Sequence, residues 1–178
     1  MRLKERVALV TGGSGGIGSA ICLGLANEGA HVAVHYFRNK GAAQRVAGEI
    51  EARGRRAFIY GADLTQQRDV EDLVGAVVEC FGRIEILVNA AGSFLAKVLG
   101  PYNIYSNCVL PGTIATDLNR DFLSKPGVRE SILEVTPLGR LGSPSDIVGA
   151  VTYLASGESN WTAGAAIMVD GGRSAEGR

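Results

Sequence analysis

One short stretch of the sequence has the composition of a phosphate-binding turn. It reads VTGGSGGIG from Val10 to Gly18, and a β-rich apolar run precedes it while a run with helical spacing follows. Gly12 permits a sharp turn, Gly16 leaves room for a pyrophosphate, and Gly18 lets the helix pack close to the strand. The helix start adds free N–H groups and a partial positive charge. The pattern predicts a dinucleotide site, with a tight turn that binds nothing as the alternative.

The segments around this stretch alternate between strand and helix patterns. Short apolar runs predict strands at residues 7–11, 31–36, 57–60, 84–89, 104–110 and 165–169. Helical spacing and end signals predict helices at residues 16–28, 41–53, 67–81 and 144–155. Ser143 is the expected cap of the last helix. The third helix should turn five apolar residues inward: Val70, Leu73, Val74, Val77 and Val78. This order predicts an α/β fold with a doubly wound parallel sheet, in a single domain over residues 1–178.

The composition argues against several classes of partner and site. The 178 residues carry 18 basic and 18 acidic side chains with no basic block, so nucleic acid is not an expected partner. No apolar run is long enough to cross a membrane, and the N-terminus lacks the form of a signal peptide. We therefore expect a cytoplasmic protein. Cys22, Cys80 and Cys108 form no CxxC pair, which predicts buried thiols and no metal site.

Further motifs repeat those of one enzyme family. GADLT contains Asp63, VNAAG ends at Gly92, and LPGTIATDL starts at Leu110. LGRLGSPSDIVGAVTYLAS and TAGAAIMVDGG follow nearer the C-terminus. With the TGxxxGxG spacing of TGGSGGIG, these motifs resemble the short-chain dehydrogenases/reductases over residues 3–172. Within that family the sequence looks most like sugar 1-dehydrogenases such as L-rhamnose dehydrogenase, and keto-acyl reductases share much of it.

The resemblance implies a Rossmann-like fold and an NAD(P)-dependent oxidoreductase. Its small-molecule substrate would be a sugar or another secondary alcohol or ketone, and members of the family form homo-oligomers. Asp63 is expected to contact adenine, and Pro111 with Gly112 to pack beside the nicotinamide. The full set of implied cofactor-binding residues is Gly12, Ser14, Gly16, Ile17, Gly18, Asp63, Leu64, Asn89, Ala90, Gly92, Pro111, Gly112, Thr113 and Ile114.

The choice between NADP and NAD depends on the residues after the second strand. NAD sites usually place an acidic residue there for the ribose 2′-hydroxyl, whereas an arginine nearby suits a 2′-phosphate. The sequence VHYFRNK holds Arg38 and Lys40 but no acid. It favours NADP and adds Arg38 to the cofactor-binding residues. The alternative is a solvated loop cation at Arg38, with NAD as the cofactor or both cofactors in use.

The catalytic residues of the family have no counterpart in this sequence. Between the motifs that match VNAAG and LPG, the family holds a helix, a strand ending in a catalytic Ser, and a helix carrying Tyr-x-x-x-Lys. Here Gly92 and Pro111 are only 19 positions apart. The resemblance therefore implies an internal deletion at about residues 92–94, with the loss of about one strand and two helices. We assign no catalytic residue.

Two other pairs of residues have a spacing that suits proton transfer. Tyr36 and Lys40 form the only Tyr-x-x-x-Lys of the chain, but they follow the second strand at the adenine end of the expected site. We interpret that spacing as a coincidence. Ser93 and Lys97 have the separation of a Ser–Lys nucleophile and base, and we favour a helix surface there.

Three interpretations of the whole chain stay open. The first is an active oxidoreductase, the second is a catalytically silent nucleotide-binding remnant, and the third is a shortened form of a normal enzyme. Hydride transfer to or from a carbinol needs a proton donor or acceptor within hydrogen-bond reach. The sequence therefore favours the second or third interpretation for the chain itself, and the first for its ancestry. Loss of two helices would also uncover apolar faces, which predicts self-association.

Overall fold

The computed structural model describes residues 1–88, 105 and 107–175 of the chain. These residues belong to two compact units, Met1–Asn89 and Ala90–Arg178, which we call the N-terminal and the C-terminal unit. The single domain expected from the sequence stays a prediction. In the described ranges, no helix is long and apolar enough to span a membrane.

The N-terminal unit alternates strands and helices along its length. The elements are β1 (Val7–Val10), α1 (Gly16–Asn27), β2 (His31–Tyr36), α2 (Lys40–Glu51), β3 (Ala57–Gly61), α3 (Gln67–Phe81) and β4 (Ile86–Val88). The sheet has the order β3-β2-β1-β4, and every strand pair is parallel. Because the chain moves outward through β2 and β3 and returns on the other side of β1, the carboxyl end of β1 is a topological switch point.

Helices cover this sheet on both faces. All four residues of β1 are buried, as expected for a parallel strand between two helix layers. On one face α1 packs beside α2. On the other face Leu73, Val77 and Phe81 of α3 form a buried cluster with Val7 and Leu9 of β1. The prediction of a doubly wound α/β fold with a parallel sheet is confirmed.

The apolar face of α3 is narrower than the sequence predicts. Leu73 and Val77 are 2% and 0% exposed, whereas Val74 and Val78 are 41% and 42% exposed. The prediction that all of these valines face inward is therefore wrong for Val74 and Val78. Each follows a buried residue by one position, which rotates its side chain by about 100° around the helix axis.

The C-terminal unit contains a two-stranded parallel sheet of β5 (Cys108–Pro111) and β6 (Ala166–Val169). Between these strands lie three helices, of which the last, α6 (Pro144–Ala155), packs against both strands. The predicted strand at 104–110 is thus found from Cys108 onward, and residues 104 and 106 lie outside the described part. The helices are α4 (Arg120–Leu123), α5 (Val128–Glu134) and α6 (Pro144–Ala155), with 3₁₀ turns at Asp117–Asn119 and Gly157–Ser159.

Ser143 is the N-cap of α6, as predicted. The carboxylate of Asp146 accepts the Ser143 N–H at 2.7 Å and the Ser143 hydroxyl at 2.9 Å. It also accepts two hydrogen bonds of 2.8 Å from the Arg140 guanidinium. These bonds hold the pKa of Asp146 well below its ordinary value, with the Arg140 hydrogen bond as the largest cause. A charged network therefore fixes the start of this helix.

Candidate functional site

The turn between β1 and α1 has the shape that its glycines predict. Gly12 has a φ of +63°, a left-handed conformation that favours glycine. The Gly15 N–H donates to the Gly12 carbonyl oxygen at 2.9 Å. A Cβ atom on Gly18 would collide with that same oxygen and would lie 3.0 Å from Gly13 Cα. Gly18 therefore lets α1 begin directly against the turn, rather than against the strand as predicted.

Gly13 provides the close packing between strand and helix. A Cβ atom there would lie 2.8 Å from Val34 Cγ1 in β2 and 3.0 Å from Cys22 Sγ in α1. No side chain fits at this position unless one of these neighbours moves. In the sequence, only its position within the glycine-rich stretch indicated that Gly13 lies at a close contact.

The N-terminus of α1 is open to an anion. Its N-cap, Gly15, has no side chain that could accept a hydrogen bond, and the first turn contains no acidic residue. The first N–H groups of an α-helix lack an intrahelical acceptor, which here applies to Gly16, Ile17 and Gly18. Ser14 is half-buried in the turn before them. A phosphate placed there would meet free N–H donors and the positive end of the helix dipole.

A buried histidine links this turn to the next two strands. His35 of β2 is 3% exposed. Its Nδ1 accepts a hydrogen bond from the Gly12 N–H at 3.0 Å, and its Nε2 lies 3.0 Å from the Ala62 carbonyl oxygen beyond β3. Nδ1 carries no proton, because it accepts the Gly12 N–H, and Nε2 carries one, because a carbonyl oxygen can only accept. The ring is therefore the neutral tautomer with its proton on Nε2. No pattern in the sequence marks the contact of His35 with Gly12.

Asp63 and Leu64 follow β3 at the carboxyl edge of the sheet. Asp63 Oδ1 accepts hydrogen bonds from the Thr65 N–H at 3.0 Å and the Thr65 hydroxyl at 2.8 Å. These bonds, the backbone one first, lower the pKa of Asp63. Asp69 in α3, which no sequence motif marked, accepts the Asp63 N–H at 2.9 Å. Asp63 is therefore held in place as a carboxylate, while Leu64 is 41% exposed beside it.

Arg38 lies in the exposed loop between β2 and α2. Its guanidinium carbon is 4.8 Å from the centre of the Phe37 ring, and its charge contributes to the lowered pKa of Asp63. Tyr36 ends β2 with its ring against Gly61, and Lys40 begins α2. The Tyr-x-x-x-Lys pair thus lies at the carboxyl end of β2.

The second group of predicted site residues lies in the C-terminal unit. Pro111 ends β5, and the next three residues line a cavity of about 330 Å³: Gly112, Thr113 and Ile114. A Cβ atom on Gly112 would lie 2.7 Å from Asp170 Cα, so packing against the segment after β6 requires glycine there. Thr113 Oγ1 accepts a hydrogen bond from the Arg173 guanidinium at 3.0 Å.

Asn119 fixes the loop that follows Ile114. Its Oδ1 accepts the Thr116 N–H at 2.9 Å, and its Nδ2 donates to the Ile114 carbonyl oxygen at 2.9 Å. Sequence reasoning did not include Asn119 in the site. The available signal was the Thr-x-x-Asn spacing, which has the pattern of a capping box.

Three predicted cofactor-binding residues, Asn89, Ala90 and Gly92, lie outside the described residues, as do Ser93 and Lys97. The structure brings the glycine turn, His35 and Asp63 together at one edge of the N-terminal sheet. It places residues 111–114 together in the C-terminal unit. Across residues 1–88, 105 and 107–175, no group of three His, Cys, Asp or Glu side chains could hold a metal ion.

Two family profiles match the chain. The profile described as short chain dehydrogenase matches residues 6–97, and the profile described as Enoyl-(Acyl carrier protein) reductase matches residues 93–174. The chain belongs to the short-chain dehydrogenase family. The short chain dehydrogenase profile covers the glycine turn at the switch point, where the structure shows the open N-terminus of α1.

Proteins named for sugar oxidation are among the relatives of this short-chain dehydrogenase. An L-rhamnose 1-dehydrogenase (NAD(P)(+)) from a Sphingomonas species is 31% identical, and the alignment covers 96% of each chain. Another from Azotobacter vinelandii is 32% identical, over 97% of this chain and 98% of the relative. A solved short chain dehydrogenase from Burkholderia cenocepacia in complex with NADP has a TM-score of 0.91 at 27% identity, covering 98% of this chain and 100% of the other.

The alignment with the Sphingomonas protein is longer than the chain itself. It runs over 245 positions, whereas the chain has 178 residues. At least 67 of the aligned positions, the difference between these lengths, therefore hold no residue of this chain.

Proposed function

We propose that the protein is an NAD(P)-dependent oxidoreductase that binds NADP in preference to NAD. The observation that carries the proposal is the uncapped N-terminus of α1, which follows the glycine turn at the switch point of a parallel sheet. The NADP complex of the Burkholderia protein and the NAD(P)(+) in the names of both L-rhamnose dehydrogenases support an NAD(P) cofactor. The preference for NADP rests on Arg38 and on the lack of an acidic residue in VHYFRNK.

Each described part of the site would bind one part of the cofactor. The N–H groups of Gly16, Ile17 and Gly18 would hold the pyrophosphate, and the fixed carboxylate of Asp63 would accept from the adenine amino group. Arg38 would bind the 2′-phosphate from its exposed loop. The nicotinamide supplies the hydride chemistry, and the family resemblance alone assigns it to residues 111–114.

The proposed substrate is the C1 hydroxyl of an aldose such as L-rhamnose. The names of two relatives at 31% and 32% identity support this choice. Reduction of an acyl-chain ketone is the second candidate, because the sequence motifs also resemble keto-acyl reductases. The profile over residues 93–174 is described as Enoyl-(Acyl carrier protein) reductase, which supports an acyl-chain substrate but not the choice of a ketone. We further propose that the protein forms homo-oligomers, as the family resemblance implies, and that it is cytoplasmic.

A catalytically silent nucleotide-binding protein is the alternative function. Only 19 positions separate Gly92 from Pro111, and the alignment of 245 positions leaves at least 67 without a residue of this 178-residue chain. A gap between those two motifs would remove the Ser and the Tyr-x-x-x-Lys that the resemblance leads us to expect. In that case the protein would keep nucleotide binding and lose proton transfer, which alone contributes about 10²–10⁴ in rate.

The first experiment measures nucleotide binding by titration calorimetry. We expect NADPH to bind about tenfold more tightly than NADH, since a hydrogen bond to a charged group contributes about 1.5 kcal/mol at the lower end of its range, which is about tenfold in affinity. Arg38→Ala should abolish this difference, and Arg45→Ala, which removes another exposed arginine nearby in α2, should preserve it. Equal or tighter binding of NADH would contradict the NADP preference, and no binding of either nucleotide would contradict the proposed function.

The second experiment separates the oxidoreductase from the silent alternative. NADPH absorbance is followed with aldoses including L-rhamnose, and with simple ketones in the reverse direction. Turnover that disappears in Gly16→Trp supports the oxidoreductase. Tight nucleotide binding without turnover supports the silent protein.

A further inference from the structure

We infer that His35 is a positioning residue that holds the pyrophosphate and adenine parts of the nucleotide site in register. The inference rests on the proposed nucleotide binding. One buried imidazole bonds to Gly12 of the glycine turn and to Ala62, the residue before Asp63. These partners are 23 and 27 residues away in the sequence, so no local interaction could replace the link.

The hydrogen bond to His35 sets the conformation of the glycine turn. The Gly12 N–H points to His35 Nδ1 in β2, at a residue whose φ of +63° already commits the chain to a sharp turn. The Gly12 carbonyl oxygen accepts the Gly15 N–H, one residue before α1 starts. The orientations of the two peptide groups on either side of Gly12 therefore determine where the free N–H groups of α1 point.

The other ring nitrogen fixes the adenine side. His35 Nε2 donates to the Ala62 carbonyl oxygen at 3.0 Å, and the Ala62 N–H donates to the Tyr36 carbonyl oxygen at 3.1 Å. Ala62 is thus held to β2 through both of its backbone polar groups. Asp63 follows directly, with its own N–H bonded to Asp69. The imidazole therefore connects two ligand-binding segments that belong to different strand ends.

His31 in the same strand supplies a matched control. Its Nδ1 accepts the Arg56 N–H at 2.9 Å, and its Nε2 lies 3.1 Å from a carboxylate oxygen of Glu5. The bonding pattern is that of His35, but His31 opens β2 and lies at the opposite end of the strand from the turn. A residue that merely stabilises β2 should behave alike at both positions.

Three substitutions separate the two hydrogen bonds of His35. Asparagine places Oδ1 near the position of Nδ1 and can accept from Gly12, but it is too short to reach Ala62. Glutamine reaches toward Ala62 and leaves the Gly12 N–H without its acceptor. Leucine removes both bonds, and a buried N–H without an acceptor favours conformers in which the turn opens to water. Apparent affinity falls with the fraction of protein that keeps the binding conformation.

The test measures NADPH affinity by calorimetry and the thermal midpoint for each variant. We expect His35→Gln and His35→Leu to weaken NADPH binding about 5- to 30-fold, His35→Asn by less than about threefold, and His31→Gln by less than about twofold. Equal affinities for all four variants and the wild type, with only the thermal midpoint lowered, would overturn the inference. Failure of the wild type to bind NADPH would instead refute the proposed function.

A measurement on the nucleotide-free wild type keeps the inference testable if the variants do not fold. Nitrogen-15 NMR of the His35 ring should show a proton on Nε2, an unprotonated Nδ1, and a coupling across the hydrogen bond to the Gly12 amide. A proton on Nδ1 would remove the hydrogen bond from Gly12 and overturn the inference.

Discussion

Substitution of Gly18 by alanine should open the glycine turn, although alanine is a better helix former than glycine. A Cβ atom at Gly18 would collide with the Gly12 carbonyl oxygen and lie 3.0 Å from Gly13 Cα. Both neighbours are backbone atoms, so no side-chain rotation relieves the contact. Gly48, in the exposed face of α2, is the matched control because a Cβ atom there would meet nothing within 4 Å.

The two substitutions should change stability in opposite directions. In a helix, replacing glycine by alanine stabilises by about 0.5–1 kcal/mol. Gly48→Ala gains only this term. At Gly18 the same gain in helix stability is outweighed by overpacking against the turn, which costs about 1–3 kcal/mol. The two variants should therefore differ by about 1–3 kcal/mol in the free energy of unfolding, which is about 5- to 150-fold in the equilibrium constant.

The thiol of Cys22 can report this difference within the N-terminal unit. Cys22 in α1 is 0% exposed, so a thiol reagent reaches it only when the unit opens. In a background with Cys80→Ser and Cys108→Ser, labelling in dilute urea should be faster in Gly18→Ala and slower in Gly48→Ala than in the parent. Calorimetry should show loss of NADPH affinity in Gly18→Ala alone.

Equal labelling rates for Gly18→Ala and Gly48→Ala would refute the reasoning. They would mean that the backbone of the turn absorbs a Cβ atom without loss of free energy. Retained NADPH affinity in Gly18→Ala would separately refute the argument that the geometry of this turn determines nucleotide binding.

Two further predictions concern ionisable groups. Burial raises the pKa of the Cys22 thiol to about 12. Cys22 in the native protein should therefore stay unlabelled by a thiol reagent at pH 9, while the half-buried Cys80 and Cys108 react. Labelling of all three cysteines at equal rates would contradict this prediction. Since its folded pKa is raised, the stability from Cys22 is present below the pKa of an unfolded thiol, about 8.5, and is lost as the pH rises toward 12. Hydrogen bonds from Arg140 and Ser143 lower the pKa of Asp146, so its contribution is present above the pKa of an unfolded aspartate, about 3.9, and is lost as the pH falls. Asp146→Asn should therefore lower the free energy of unfolding, measured in urea, by about 0.5–1 kcal/mol at pH 7 and by less at pH 3. An equal loss at both pH values would contradict a stabilising role of the Asp146 carboxylate.

The sequence by itself determined the order of the elements and the position of the glycine turn. Strand and helix patterns depend on neighbours within a few positions, and the predicted strand at 31–36 and helix at 67–81 agree with β2 and α3. The conformation of Gly12 is also a local property, since its φ of +63° follows from the turn itself. The same holds for the Ser143 start of α6, where the partners are three positions apart.

Contacts between distant segments were decided only by the tertiary structure. The bond from Gly12 to His35 depends on the parallel register that pairs Val10 with Val34, which no pattern within either strand specifies. The need for glycine at position 112 arises from Asp170, which reaches it because β5 pairs with β6. The two sides of α3 differ for a related reason. Val74 and Val77 are equally apolar in the sequence, but only Val77 lies on the side of the helix that packs against β1, so only Val77 is removed from water.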